Sequence, residues 1–394
     1  MKFRISRIAL ACMAALGASG AAAQSSNIQL YGRANLGLDW YDATGATAGG
    51  QLDYEGRFRV FDNSSRVGLR GTEDLGNGLK AVFQIETGVN VDSGSTNGQG
   101  GQANSSTGTW GSRDSFVGLD SGWGRLTFGR QSIWYQNGQI AQFSSNYINT
   151  EIPWTDGRGM GRMPAPASRT SNVVMYTTPT FSGINATAYF SPNAQEAVQN
   201  NTTSDTDGQI WGATVRGSFG PFLGQVDYVI GQANSPIGVG AGAQGETEAW
   251  KVGAAWKYMP GASIGLIWVG AQSNQVAGLA LGDTAKQQAW TLNWEHTFGN
   301  VQVMAQYGLL QGLKDCNSAT LTLSCDGTKA DGYMVGARYL LSKRTWIYAS
   351  WNMVDNESNQ FADYRSAGYT SVGSGTIPYG ADPQIWAAGL FHAF

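Results

Sequence analysis

Apolar and polar side chains take turns along most of this chain. The clearest case is residues 29–40, where Leu30, Ala34, Leu36, Leu38 and Trp40 share one side and Gln29, Tyr31, Arg33, Asn35 and Asp39 the other. The same period marks residues 63–91. There Val67 and Leu69 oppose Ser64, Arg66, Gly68 and Arg70, and Leu79, Ala81, Phe83 and Ile85 oppose Lys80, Gln84 and Glu86, with Val82 out of phase. A two-residue period predicts strands, and the polar joint at 73–78 predicts a hairpin. A second strand pair is predicted over 112–119 and 125–131. Eleven more follow at 171–178, 184–190, 210–217, 223–231, 248–257, 263–272, 288–296, 301–310, 333–341, 345–354 and 384–394, sixteen strands in all. Residues 263–272 fit the alternation poorly. The Gly-rich polar stretch after Trp40 reads as a loop.

The connections alternate too. Short ones at 219–221, 259–261, 298–300 and 342–344 take turns with long ones at 191–208, 232–247 and 355–383. One greasy face, one wet face and turns short at one end predict an all-β fold: a sixteen-stranded antiparallel transmembrane barrel with short periplasmic turns and long extracellular loops. Closure leaves no edge strand unpaired, as lipid requires. Slipping the Arg66 strand by one residue would push its guanidinium into lipid, at about 2–4 kcal/mol near the midplane. Trp40, Trp250, Trp256, Tyr258, Trp290 and Trp346 are expected to form interfacial girdles. A secreted β-sandwich is the alternative, but it buries its apolar face in a core and rarely needs so many strands.

Composition sharpens this picture. Only 13% of residues are charged and 55 are Gly, which suits strands and turns better than surface helices. Residues 1–23 carry Lys2, Arg4 and Arg7, an apolar run at 8–16 and Ala21-Ala22-Ala23, the pattern of a secretory signal peptide. The expected mature chain is therefore 24–394. Without those three basic residues, 22 Lys and Arg face 28 Asp and Glu, a net charge of −6. No strong basic field remains, which argues against nucleic acid as a partner. After the leader there is no 18-residue apolar run, hence no transmembrane helix. Cys12 lies inside the leader. Cys316 and Cys325 sit close together in a polar segment of an exported chain, which predicts a disulfide; metal binding is the weaker alternative, with no histidine nearby.

Several motifs are familiar. Leu30-Tyr31-Gly32, residues 65–76 (SRVGLRGTEDLG), 113–118 (RDSFVG), 128–131 (FGRQ), 176–179 (YTTP) and the terminal 389–394 (GLFHAF) resemble the Gram-negative trimeric porin family, in its beta-proteobacterial branch. The resemblance covers essentially the whole mature chain. It implies a homotrimer in the outer membrane, in contact with its lipid and lipopolysaccharide, and passive diffusion of small hydrophilic solutes and ions. It also implies that Phe394 is the signal read by the barrel-assembly machinery. Phe391 departs from the family, which often has Arg there, and is not expected to matter for conduction.

The longest connection, residues 132–170, runs 39 residues without a convincing strand, and loops of that length are usually functional or disordered. In the family the corresponding third loop folds into the barrel and narrows it. Here it contains Glu151, Asp156, Arg158 and Arg162 and ends at Arg169. Arg33, Arg66, Arg113 and Arg169 resemble the family's pore-wall arginine cluster, and alternation turns Arg33, Arg66 and Arg113 inward. Guanidiniums facing carboxylates set up a transverse field, and charged rings choose between ions. The four arginines with Glu151 and Asp156 leave +2, which predicts a mild anion preference. The alternative is that the arginines merely solvate the lumen or pair with acids. Arg130 has the outward parity of Leu126 and Phe128 and is expected at the trimer contact.

Other functions compete. A barrel enzyme would need a base, yet His296 and His392 stand in no recognisable catalytic spacing. No cofactor or metal is expected: Gly157-Arg158-Gly159-Met160-Gly161 lacks the strand and helix of a phosphate loop, and Asp205-Thr206-Asp207-Gly208 lacks the downstream ligands of a calcium loop. A channel specific for sugars or phosphate stays open because Trp134, Tyr135 and Trp154 could form an aromatic slide. An adhesin role of the loops is the remaining alternative.

Overall fold

The computed structural model describes residues 26–47, 53–92, 110–134, 151–155, 157, 159–164, 169–192, 208–233, 245–274, 276, 283–316, 324–364 and 377–394. The expected leader lies outside them. The described residues form seventeen strands: β1 (Ser26–Thr44), β2 (Tyr54–Asp62), β3 (Arg66–Gly76), β4 (Leu79–Gly88), β5 (Ser115–Ser121), β6 (Gly124–Ser132), β7 (Arg169–Thr177), β8 (Ile184–Ser191), β9 (Ile210–Phe219), β10 (Phe222–Ala233), β11 (Gly245–Met259), β12 (Ala262–Ser273), β13 (Ala285–Phe298), β14 (Val301–Leu310), β15 (Ala330–Leu340), β16 (Thr345–Asn356) and β17 (Asp382–Ala393). From β3 onward each pairs antiparallel with the next. β1 then pairs with β17, from Arg33↔Ala393 to Thr44↔Asp382, and closes the barrel. The terminal Phe394 exchanges two backbone hydrogen bonds with Gly32, each 3.1 Å.

The extra strand has a simple origin. The lower part of β1 pairs with β3 (Ser26↔Glu73 to Arg33↔Arg66) and the upper part with β2 (Leu36↔Asp62 to Ala43↔Tyr54). β2 and β3 are thus two halves of one stave, so the barrel has sixteen positions. The break is a kink at Asn63, Ser64 and Ser65, where Ser64 adopts φ 68°. Ser65 receives the Asn35 N–H on its hydroxyl and donates its own N–H to Asp62. The stretch read as a loop after Trp40 therefore contains a strand, with Phe58 and Val60 outward and Arg59 inward on Asp39 at 3.0 Å.

The first hairpin is tighter than the expected six-residue joint. β3 runs on to Gly76 and the turn is Asn77-Gly78, with φ 52° and 76°. Two positive φ values in succession make a turn whose twist matches that of the strands.

Alternation holds around the wall. Trp290 and Leu292 on β13 are 37% and 43% exposed on the outside, while Thr291 and Asn293 are 1% and 2% exposed inside. β12 reads poorly because both its faces are apolar: Ile264 and Leu266 point out, Ile267 and Val269 in. The inward pair belongs to one buried cluster with Ile133, Trp134, Ile152 and Trp154. Trp346 corrects the girdle expectation. It is buried inside the barrel, stacked on Phe391 at 3.9 Å and 6°. Trp250, Trp256 and Trp290 do lie on the outer surface.

The connection after β6 enters the lumen. Trp134 meets Lys251 of β11, residues 152–155 lie against β13–β15, and Arg162 reaches Asn359 in the connection before β17. Cys316 and Cys325 form a disulfide between β14 and β15.

An arginine on the outer face should be poorly tolerated. Leu266→Arg, in the middle of β12, is expected to cost about 2–4 kcal/mol if it lies near the bilayer midplane. Urea titration of the protein folded in phospholipid vesicles would measure the cost.

Candidate functional site

A run of like charge forms on one side of the lumen from β1, β3, the connection before β5 and the start of β7. Arg33 of β1 and Arg66 of β3 are direct cross-strand partners. Two guanidiniums side by side repel, so each needs its own acceptor. Arg33 donates from Nε to the Ser64 carbonyl at 2.9 Å, an acceptor exposed by the break between β2 and β3. Arg66 stands 3.7 Å from Glu86 of β4.

Glu86 is the hub. It accepts hydrogen bonds from Arg113 Nε and, at 3.1 Å, from the Tyr31 hydroxyl. Tyr31, Gly68 and Glu86 are successive partners across β1, β3 and β4. A Cβ on Gly68 would fall 2.6 Å from the tyrosine ring, so only glycine lets the phenol reach over to the carboxylate.

Arg113 and Asp114 lie in the connection that precedes β5. Burial pulls the Arg113 guanidinium down to about 10, the guanidiniums of Arg169 and Arg66 add to the pull, and Glu86 opposes it; it stays charged at neutral pH. Asp114 takes Arg169 Nε at 2.8 Å and the Ser132 hydroxyl at 2.8 Å. Burial disfavours its charged form, but Arg169 and Ser132 outweigh that and hold it below the usual carboxylate range. The predicted arginines Arg33, Arg66, Arg113 and Arg169 therefore do meet on one wall. Glu86 and Asp114 were not among the predicted site residues, although Glu86 has wet-face parity in the first hairpin and Asp114 adjoins Arg113.

The loop residues fall elsewhere. Glu151 is half-buried at the start of the arm that meets β14. Arg162 donates to the Asn359 carbonyl at 2.6 Å and lies over the Tyr379 ring at 4.5 Å, so it joins the connection before β17 instead of the arginine wall. Asp156 and Arg158 lie outside the described residues. Arg130 sits at a bulge, where the β6–β7 register shifts between Gly129 and Gln131. Its guanidinium donates to the Ser112 carbonyl at 3.1 Å and the Ser171 hydroxyl at 2.8 Å. Bulges re-aim side chains, so parity alone does not describe it.

Trp134 and Trp154 are fully buried. Trp134 lies under Lys251, whose Nζ is 4.6 Å from its ring and 3.6 Å from Asp227. These indoles pack on the wall and offer no open surface to a passing solute; Tyr135 is outside the described residues.

Comparison with known proteins bears on the whole chain. A family model described as "Gram-negative porin" matches residues 9–359. An outer membrane porin protein of Bordetella pertussis is 31% identical over 382 residues, 92% of this chain and 89% of that one. Outer membrane porin protein 32 of Delftia acidovorans is 27% identical over 98% of this chain and 99% of its own. Among solved structures, an anion-selective porin from Comamonas acidovorans matches with TM-score 0.71 at 22% identity, covering 94% of this chain and all of that one. OmpT of Vibrio cholerae, in a trimer form, matches at TM-score 0.62 and 14% identity, covering 94% and 100%.

The hub position of Glu86 is testable through stability. Glu86→Ala leaves Arg66, Arg113 and Tyr31 without their shared acceptor and is expected to cost about 3 kcal/mol. Tyr31→Phe removes one neutral donor and should cost about 1 kcal/mol. Unfolding midpoints in the same detergent would rank the two.

Proposed function

The chain belongs to the Gram-negative porin family, whose members are outer-membrane channels for general diffusion, and we propose that its own lumen leans mildly toward anions. The guanidinium wall carries this reading. On that wall Arg33, Arg66, Arg113 and Arg169 give +4 and Glu86 with Asp114 gives −2, which leaves +2. The pairings reduce the field of each arginine but leave the balance positive. A charge balance that small filters weakly, so small hydrophilic solutes of either sign still pass. The anion-selective porin from Comamonas acidovorans, similar in fold, agrees in sign. The loop at 132–170 is the element that narrows the lumen.

The rest of the assembly follows the same premise. Three copies associate in the outer membrane, among its lipid and lipopolysaccharide, with the wall around Arg130 at the contact. A fold neighbour solved in a trimer form supports the three-fold association. Residues 1–23 act as the export leader, and Phe394 presents the barrel-assembly signal. Relatives named as porins favour a channel over an enzyme. The buried state of Trp134 and Trp154 disfavours a sugar slide.

The reading predicts a zero-current potential of anion sign across planar bilayers in a potassium chloride gradient near 0.1 M. The preference should fade as salt approaches 1 M, where the Debye length falls from about 10 Å to about 3 Å. A clear cation preference at low salt would sink it.

A further inference from the structure

The arm of the long loop does not merely rest on the barrel wall; it is let into it. Ile152 and Trp154 are completely buried, and the wall beneath them is made of Gly308 on β14 and Gly332 on β15, which are direct cross-strand partners facing the lumen. A Cβ at Gly308 would stand 2.5 Å from Ile152 Cγ2 and 2.8 Å from Trp154 Nε1. At Gly332 it would stand 3.0 Å from Ile152 Cδ1 and 3.1 Å from Trp154 Cη2. Carbon atoms in ordinary contact sit about 3.5–4.0 Å apart, so the arm lies closer to the wall than any side chain there would allow.

The arm is also held from both ends of the seat. Ile152 N–H donates to Gln306 Oε1 at 2.9 Å, and Gln306 is itself fixed through its amide N–H to Asn293 Oδ1 at 2.6 Å. Trp154 Nε1 donates to the Trp290 carbonyl at 3.4 Å. Just past Trp154, Thr155 closes a turn, donating its N–H and its hydroxyl to the Ile152 carbonyl at 3.0 and 2.8 Å. These bonds hold Ile152 and Trp154 directly over the two glycines, so a group added to the wall beneath them presses the arm toward the lumen axis.

We propose that Gly308 and Gly332 are specificity-determining positions. Their missing side chains set how far the loop stands off the wall, and so set the largest solute that passes. This rests on the reading that the loop is the constriction. It assigns the size limit to two residues outside the loop, neither charged nor in contact with solute.

The test is uptake of neutral sugars of rising mass by liposomes holding the purified protein. Gly308→Ala is expected to lower the ratio of trisaccharide to pentose uptake by about three-fold or more, since pore diameter governs such selectivity. Adding Ile152→Ala, which removes the atom in closest conflict, should restore most of the ratio. Gly332→Ala, where the conflict is milder, should lower it less; it also replaces Gly308→Ala if that variant does not fold. Folded barrels that keep the wild-type ratio in both glycine variants overturn the proposal, as does a double variant no better than Gly308→Ala. Deleting residues 151–163 separates the layers. If the deletion leaves the size limit unchanged, the loop is not the constriction and the proposal falls with that reading. If it raises the limit while the glycine variants change nothing, only the seat is wrong.

Discussion

Hydrocarbon offers a polypeptide no hydrogen bonds, and this deficit shapes the molecule from end to end. Every backbone group of a spanning strand must find a partner in a neighbouring strand. The first and last strands therefore have to meet, as β1 and β17 do along twelve residue pairs. The same deficit sorts the side chains. What faces outward must be apolar or aromatic, and what is polar must face in. Once the outside is settled, the inside is free to carry charge, and the chemistry of this protein lives there.

That sorting is also why so much of the fold was legible. A period of two survives in the sequence wherever one face meets lipid and the other meets water. It fails where the inner face meets protein. β12 is the case in point, because Ile267 and Val269 serve a cluster shared with the inserted loop, and a strand apolar on both sides has no period to read. β2 was missed for a different reason. Its stave is broken at Ser64, and a strand of nine residues beside a Gly-rich stretch looks like part of the loop. Trp346 looked like a girdle residue because it is aromatic and near a strand end; its parity, shared with Tyr348 and Ser350, placed it inside.

The site was legible in its cations and much less so in its anions. Parity tells which residues face the lumen, but pairing depends on register between strands, which alternation leaves undetermined. Glu86 meets Arg66, Arg113 and Tyr31 only because β1, β3 and β4 are aligned as they are. A cluster of guanidiniums without such acceptors would be costly to assemble, and one fully neutralised would be electrically dull. The arrangement here lies between: the arginines are steadied by acceptors, and carboxylates are fewer than guanidiniums.

Phe391 shows how the same wall can be held without adding charge. Judged from sequence it is a departure from the family pattern; its ring stands inside the barrel between Arg33, 5.7 Å away, and Trp346, with Arg338 over that indole at 4.7 Å. Two stacked rings capped by two guanidiniums form one continuous pile across β1, β17, β16 and β15. Each cation–π contact is worth about 0.5–2 kcal/mol, and the ring pair about 0.5–1.5 kcal/mol beyond its burial. A third arginine in that pile would repel its neighbours; an aromatic ring instead gives Arg33 a flat surface to lie on. Stacking and the Ser64 carbonyl both help to keep Arg33 in place beside Arg66. Neither a ring nor a carbonyl carries a formal negative charge, so these contacts hold the guanidinium without cancelling it. Among the described residues of this wall, four guanidiniums are thus assembled with two carboxylates, Glu86 and Asp114.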